Sequence, residues 1–118
     1  MFATAAYAEG VWESSISGAL PGFTSRSWQD NASDKADTVT TFEGCSLRYG
    51  NLETIDVGLW DKMGLFPDYR SGGINQNCGT YNFGRMTRSN EYYFKIERIN
   101  NQERINHYLD IAKVTQEY

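Results

Sequence analysis

Short runs of alternating apolar and polar residues, separated by turn-forming residues, extend along most of this chain. The clearest run is Thr54–Trp60, where Ile55, Val57 and Leu59 occupy alternate positions and share one face. A period of two is typical of a half-buried β-strand. If that face lies in the core, Trp60 points outward.

Other stretches predict strands because they alternate or are rich in β-branched and aromatic residues. They are Val11–Ile16, Phe23–Gln29, Thr38–Glu43, Thr80–Phe83 and Tyr92–Ile99.

Two polar stretches lack this alternation, and we expect loops there. Asp30–Asp37 is acidic and turn-forming, and Arg70–Gly79 is rich in glycine, serine and asparagine. Lys62–Asp68 predicts either a helical turn or an irregular strand.

The C-terminal stretch Ile105–Val114 fits either a helix or a strand by residue preference. We favour a strand within His107–Tyr118, because Tyr92–Ile99 needs a neighbour and Asn100-Asn101 is a hairpin turn signal. These two stretches are therefore expected to pair.

A tetrapeptide repeat lies in this connection: Glu-Arg-Ile-Asn occurs at 97–100 and again at 103–106. The offset is far shorter than the period of repeat folds. The repeat predicts either a solvated extension of the hairpin or a recognition loop.

The fold that these patterns predict is all-β. No long stretch shows the apolar spacing of an amphipathic helix, and about seven or eight short strands are indicated. A chain of 118 residues fits one domain. We therefore expect residues 11–118 to form a single-domain antiparallel β-sandwich or a small barrel.

The first ten residues carry a different signal. Ala3-Thr4-Ala5 and Ala6-Tyr7-Ala8 have the small-x-small form that signal peptidases cleave after. We expect residues 1–10 to be the remainder of a secretory signal peptide, flexible and outside the domain. This predicts a secreted, extracellular protein.

The two cysteines, Cys45 and Cys78, agree with that location. Disulfides persist in oxidising compartments, and neither cysteine lies in a C-x-x-C motif. A structural disulfide between them is expected.

Composition and charge argue against some classes of partner. The net charge is −4, and residues 1–84 hold five Lys/Arg against ten Asp/Glu. Nucleic-acid binding needs a concentrated basic face, so nucleic acid is not expected as a partner. No apolar run is long enough for a membrane-spanning helix, so the chain is not expected to span a membrane.

Aromatic and basic residues suggest a binding surface. Trp60 is the preferred surface aromatic, since an exposed tryptophan can stack on sugar rings or anchor a protein contact. Cations and tyrosines near residue 90 could meet an anionic wall polymer or a protein carboxylate, although charged outer positions of a strand would account for them as well. The predicted binding residues are Trp60, Tyr81, Arg85, Arg88, Tyr93 and Lys95.

Metal and catalytic chemistry have weak support in the sequence. Asp30, Asp34 and Asp37 could supply oxygen ligands to calcium, but their spacing does not match an EF-hand and a solvated acidic loop is the alternative. No cofactor is expected otherwise. His107 is the single histidine, and without a Gly-x-Ser-x-Gly elbow it predicts a surface residue.

These observations favour a secreted, non-enzymatic recognition module that binds a cell-wall polymer, a protein partner or a second copy of itself. Two alternatives stay open: a bacteriocin-like antibacterial toxin, and a small hydrolase or hydrolase inhibitor. In size and composition the chain is similar to small secreted proteins of Gram-positive bacteria, so a bacterial source is expected. That likeness identifies no site.

Overall fold

The computed structural model of the protein describes residues 10–33 and 35–118. These residues form eight strands and no helix, and hence no element that could cross a membrane as a helix. The strands are β1 (Val11–Ala19), β2 (Trp28–Asp30), β3 (Val39–Leu47), β4 (Ile55–Asp61), β5 (Tyr69–Gln76), β6 (Thr80–Asn82), β7 (Asn90–Ile99) and β8 (Leu109–Glu117).

The strands form two antiparallel sheets of four strands each, which pack face to face. The strand order is β1-β8-β3-β6 in the first sheet and β2-β7-β4-β5 in the second. Rings from the two sheets meet between them: Phe42 of β3 and Phe94 of β7 have centroids 5.5 Å apart. The predicted all-β sandwich is confirmed.

The core is built from the inward positions that the alternating pattern identifies. Ile55, Val57 and Leu59 of β4 are fully buried, as are Phe94 and Ile96 of β7. Because successive side chains of a strand point to opposite faces, the polar residues between them lie on the outer face of the second sheet.

The prediction of a loop at Arg70–Gly79 is wrong, since β5 occupies residues Tyr69–Gln76. Glycine, serine and asparagine have poor strand preferences, so the segment gives no local signal. Pairing with β4 holds it in place, from Ile55 opposite Gln76 to Asp61 opposite Tyr69. Ile74 is the apolar side chain by which β5 packs against the core.

The predicted hairpin between the last two strands is also wrong. Asn100 and Asn101 do form a tight turn, with φ angles of 51° and 63° and mutual backbone hydrogen bonds between Ile99 and Gln102. After that turn the chain crosses to the other sheet, where β8 lies between β1 and β3. The preference for strand over helix in this region is confirmed at Leu109–Glu117.

The predicted disulfide Cys45–Cys78 is confirmed, with 5.8 Å between the two Cα atoms. Cys45 lies in β3 of the first sheet, and Cys78 lies in the segment that passes from β5 to β6. The bond therefore fixes the place where the chain leaves the second sheet for the first.

The prediction for the N-terminus falls mostly on residues 1–9, which lie outside the described residues. Gly10 is described, and its backbone exchanges two hydrogen bonds with Tyr118 at 2.9 and 3.0 Å.

Candidate functional site

The outer face of the second sheet carries the candidate site. Trp60 lies on this face, as its phase in β4 predicts, and is partly exposed. Lys95 and Glu97 of β7 and Arg70 of β5 lie beside it.

Two opposed glycines form the floor of this region. Gly58 of β4 faces Gly73 of β5 in the sheet register. A Cβ atom at Gly58 would collide with the carboxylate of Glu97, and one at Gly73 would collide with the guanidinium of Arg70. The missing side chains therefore let these two charged groups lie flat against the sheet.

A β-bulge in β7 brings further charge to the same face. Val57 pairs with Ile96 and Asp56 with Arg98, so Glu97 is an extra residue in the ladder. A bulge re-aims the side chains around it. In consequence Glu97 and Arg98, although consecutive, both lie on the outer face.

Glu97 is the centre of a hydrogen-bonded cluster. Arg70 donates to it from two nitrogen atoms, Nη2 to Oε1 at 2.7 Å and Nε to Oε2 at 2.9 Å, and Trp60 Nε1 donates to Oε2 at 2.9 Å. Partial burial opposes ionisation of Glu97, but these bonds outweigh it and hold the pKa below its usual value. Glu97 is therefore a carboxylate fixed in place.

Lys95 lies over the face of the indole, with its ammonium nitrogen 5.1 Å from the Trp60 ring centroid. A cation over an aromatic face is attracted by the electron-rich ring. The Lys95 and Trp60 side chains thus present a cation and an aromatic ring side by side.

An open depression of about 500 Å³ lies against this cluster. Its lining carries both signs of charge and one aromatic residue. The lining residues are Pro21, Gly22, Trp60, Lys95, Glu97, Arg98 and Glu103.

A second depression, of about 300 Å³, lies next to the first along β7. Tyr93 lines the second and Lys95 the first, and residues two apart in a strand are roughly 7 Å apart. The rest of its lining is rich in hydroxyl groups. The lining residues are Thr24, Ser25, Ser27, Lys62, Asp68 and Tyr93.

The Tyr93 hydroxyl donates a 2.7 Å hydrogen bond to Asp68 Oδ2. Partial burial, followed by this bond to a carboxylate, raises the pKa of Tyr93 to about 12. The phenol therefore stays protonated and directed at Asp68 at neutral pH.

One wall is shared by both depressions. The segment 21–27 runs beside β7 and bonds to it through backbone groups, including Gly22 N–H to Ile96 O at 2.7 Å and Ser25 N–H to Phe94 O at 2.9 Å. The two depressions together with this wall form one elongated feature, which we call the β7 groove.

The structure brings together only some of the predicted binding residues. Trp60, Tyr93 and Lys95 line the β7 groove. Arg88 lies beyond it, 3.4 Å from Asp61, and Arg85 is exposed in the segment between β6 and β7.

The prediction that Tyr81 belongs to a binding surface is wrong. Its side chain is fully buried, its ring packs 5.2 Å from that of Phe42, and its hydroxyl donates to the carbonyl of Asn77 at 2.8 Å. The middle residue of the short strand β6 points inward, between neighbours that are both exposed.

The sequence did not identify Glu97 and Glu103, which line the larger depression, or Arg70, which holds Glu97 in place. Arg70 lies in a segment that was expected to be a loop, and the bulge at Glu97 leaves no mark in the alternating pattern. Glu103 was signalled only by the Glu-Arg-Ile-Asn repeat, whose two copies place a glutamate each in the lining of the larger depression.

The aspartates considered as calcium ligands do not gather around one point where the structure describes them. Asp30 is buried and accepts a hydrogen bond from the amide of Ala32 at 2.8 Å, whereas Asp37 is exposed and accepts one from Asn82 at 3.0 Å. Asp34 lies outside the described residues. Within residues 10–33 and 35–118, no three His, Cys, Asp or Glu side chains gather as metal ligands.

His107, the other residue considered for chemistry, packs edge-on against Tyr49, with ring centroids 5.0 Å apart.

Comparison of the chain with protein-family models, curated proteins and solved structures finds no match.

Replacing Gly58 by alanine is expected to lower the free energy of unfolding by about 1–2 kcal/mol, because the new methyl group displaces a carboxylate that Arg70 and Trp60 hold. Urea unfolding measures this change. Gly72→Ala is the matched control, since a Cβ there meets nothing nearer than Phe83 at 3.8 Å. Equal stability of the two variants would contradict the glycine floor.

Proposed function

We propose that this protein is an extracellular, non-enzymatic recognition module that binds an elongated cell-wall polymer along the β7 groove. The observation that carries the proposal is the arrangement of two neighbouring depressions along one strand, with a shared wall. Successive units of a polymer can occupy successive depressions, whereas a compact ligand would use only one.

The groove chemistry suits a carbohydrate that also carries charge. The C–H groups of a sugar ring can pack against the part of the Trp60 ring that Lys95 leaves exposed, and its hydroxyl groups bond to serine, threonine and carboxylate side chains. Polymer carboxylates can bond to Lys95 and Arg98, and polymer amines to Glu103.

Rigidity of the lining also supports a binding role. Glu97 and Tyr93 are held by hydrogen bonds before any ligand arrives. A preorganised side chain loses little conformational entropy on binding. The entropic cost that offsets the favourable interaction energy is therefore smaller.

The extracellular location is supported by the disulfide, because such bonds persist mainly in oxidising compartments.

The test is sedimentation with purified peptidoglycan. We expect the parent protein to be retained and Trp60→Ala to bind about tenfold more weakly, because the aromatic contact with the polymer is lost. Tyr49→Ser is the matched control: Tyr49 is 73% exposed and lies in the segment between β3 and β4, outside the groove lining.

Thermal unfolding of each variant separates a loss of binding from a loss of fold. No retention of the folded parent protein would overturn the proposal. So would equal weakening by the Trp60 and Tyr49 substitutions.

A further inference from the structure

A further pocket, of about 140 Å³, is lined by β1 on one side and by the segment 21–27 on the other. We call it the Trp12 pocket. It reaches the core of the sandwich, because Phe94 and Val114 in its lining are each 1% exposed. Its apolar lining is completed by Trp12, Ile16 and Phe23, and its polar lining by three serines and Arg26.

One small side chain explains why this space is open. Ser14 shares the inward face of β1 with Trp12 and Ile16, because the three occupy alternate positions of the strand. Ser14 is nevertheless exposed, whereas Ile16 is buried. A serine at an inward position leaves room that an apolar side chain would fill, so the pocket is written into the sequence of β1.

The walls of the Trp12 pocket suit an aromatic ring. Trp12 and Phe94 lie nearly parallel, with an interplanar angle of 15° and centroids 6.3 Å apart, and Phe23 lies in the lining beside them. Aromatic groups pack well against such rings in offset or edge-on arrangements. A cavity of roughly 150 Å³ with apolar walls is known to hold benzene, so the volume here matches one six-membered ring.

Arg26 gives the pocket a positive charge. Its guanidinium carbon lies 5.3 Å from the centroid of the Trp12 ring, and so over the indole face. In the described part of the chain the ion pairs are formed by other residues, and Arg26 has no carboxylate partner. The other polar side chains in the lining are serine hydroxyls. A ligand with a carboxylate can therefore bond to a guanidinium that has no competing anion.

We propose that the Trp12 pocket binds a small monocyclic aromatic acid, with the ring against Phe94 and the carboxylate bonded to Arg26. The pocket shares Ser25 with the lining of the β7 groove, and the rest of its lining is distinct. This site therefore does not depend on polymer binding in the groove.

Titration of the ¹⁵N-labelled protein with phenylacetate, followed by NMR, tests the proposal. We expect a saturable shift of the Trp12 indole N–H signal, while the Trp60 indole signal stays in place. Phenylacetamide is the neutral analogue of the same shape. The parent protein should bind phenylacetate about fivefold more tightly than the amide, and Arg26→Gln should remove this preference.

Arg85→Gln is the matched control, since Arg85 is exposed in the segment between β6 and β7 and lies outside the pocket lining. It should keep the parent's preference for the acid. Ser14→Leu fills the pocket from its inward position and should weaken binding of both compounds at least about tenfold. Ser14 and Arg26 are exposed, and thermal unfolding verifies that each variant is folded.

Three results would each overturn the proposal. They are an unmoved Trp12 signal in the parent protein, equal affinity of the parent for acid and amide, and a response of the Trp60 signal alone, which would assign the compound to the β7 groove.

Discussion

Replacing Phe94 by alanine is expected to lower the free energy of unfolding by about 3–5 kcal/mol. Phe94 is 1% exposed, and its ring lies between those of Trp12 at 6.3 Å and Phe42 at 5.5 Å. These contacts join the two sheets, so the substitution opens a cavity that neither sheet can close alone. Since typical domains are stable by about 5–15 kcal/mol, a loss of this size is a large fraction of the total stability.

Urea unfolding followed by tryptophan fluorescence measures this loss. Phe66→Ala removes the same side chain from a position that is 70% exposed, and its effect should stay within about 0.5 kcal/mol. A similar loss for both phenylalanines would contradict the placement of Phe94 between the sheets.

Replacing both cysteines by serine is expected to lower the free energy of unfolding by about 3–4 kcal/mol. The two cysteines are separated by 33 positions, and their bond restricts the conformations of a long loop in the unfolded chain. The double replacement avoids leaving one reactive thiol.

The parent protein with its disulfide reduced is the natural comparison. Urea unfolding should give the same loss for the reduced parent as for the double variant, and reductant should not alter the variant. A double variant as stable as the oxidised parent would show that the disulfide contributes nothing to the free energy of unfolding.

The alternating pattern sufficed to predict the strands that carry the core. Ile55, Val57 and Leu59 lie inside the sandwich as expected, because burial on one face of a sheet imposes a period of two. The same argument placed Trp60 outside. Alternation within a strand therefore specifies which face of the sheet a side chain occupies.

Pairing partners could not be predicted in the same way. β5 has few apolar residues, and its position depends on pairing with β4. A loop of seven residues separates the two strands. The turn at Asn100-Asn101 was recognised, but whether the following strand stays in the same sheet is decided by tertiary packing. The number of residues between two strands does not indicate whether both belong to the same sheet.

The candidate site shows the same division. Trp60, Tyr93 and Lys95 were identified because each holds an outward position in a strand with a strong signal. Tyr81 was misassigned because a strand of three residues is too short to show a phase. The bulge at Glu97 and the floor at Gly58 arise from contacts between strands, so no single segment encodes them.

The covalent bond between Cys45 and Cys78 spans the whole β4–β5 hairpin, including its exposed tip. Proteases cut most readily at projecting loops. A single cut within residues 62–68 would leave two fragments that are still joined through the sulfur atoms and through the strand ladders on either side. The molecule can therefore be nicked at this exposed loop and remain in one piece.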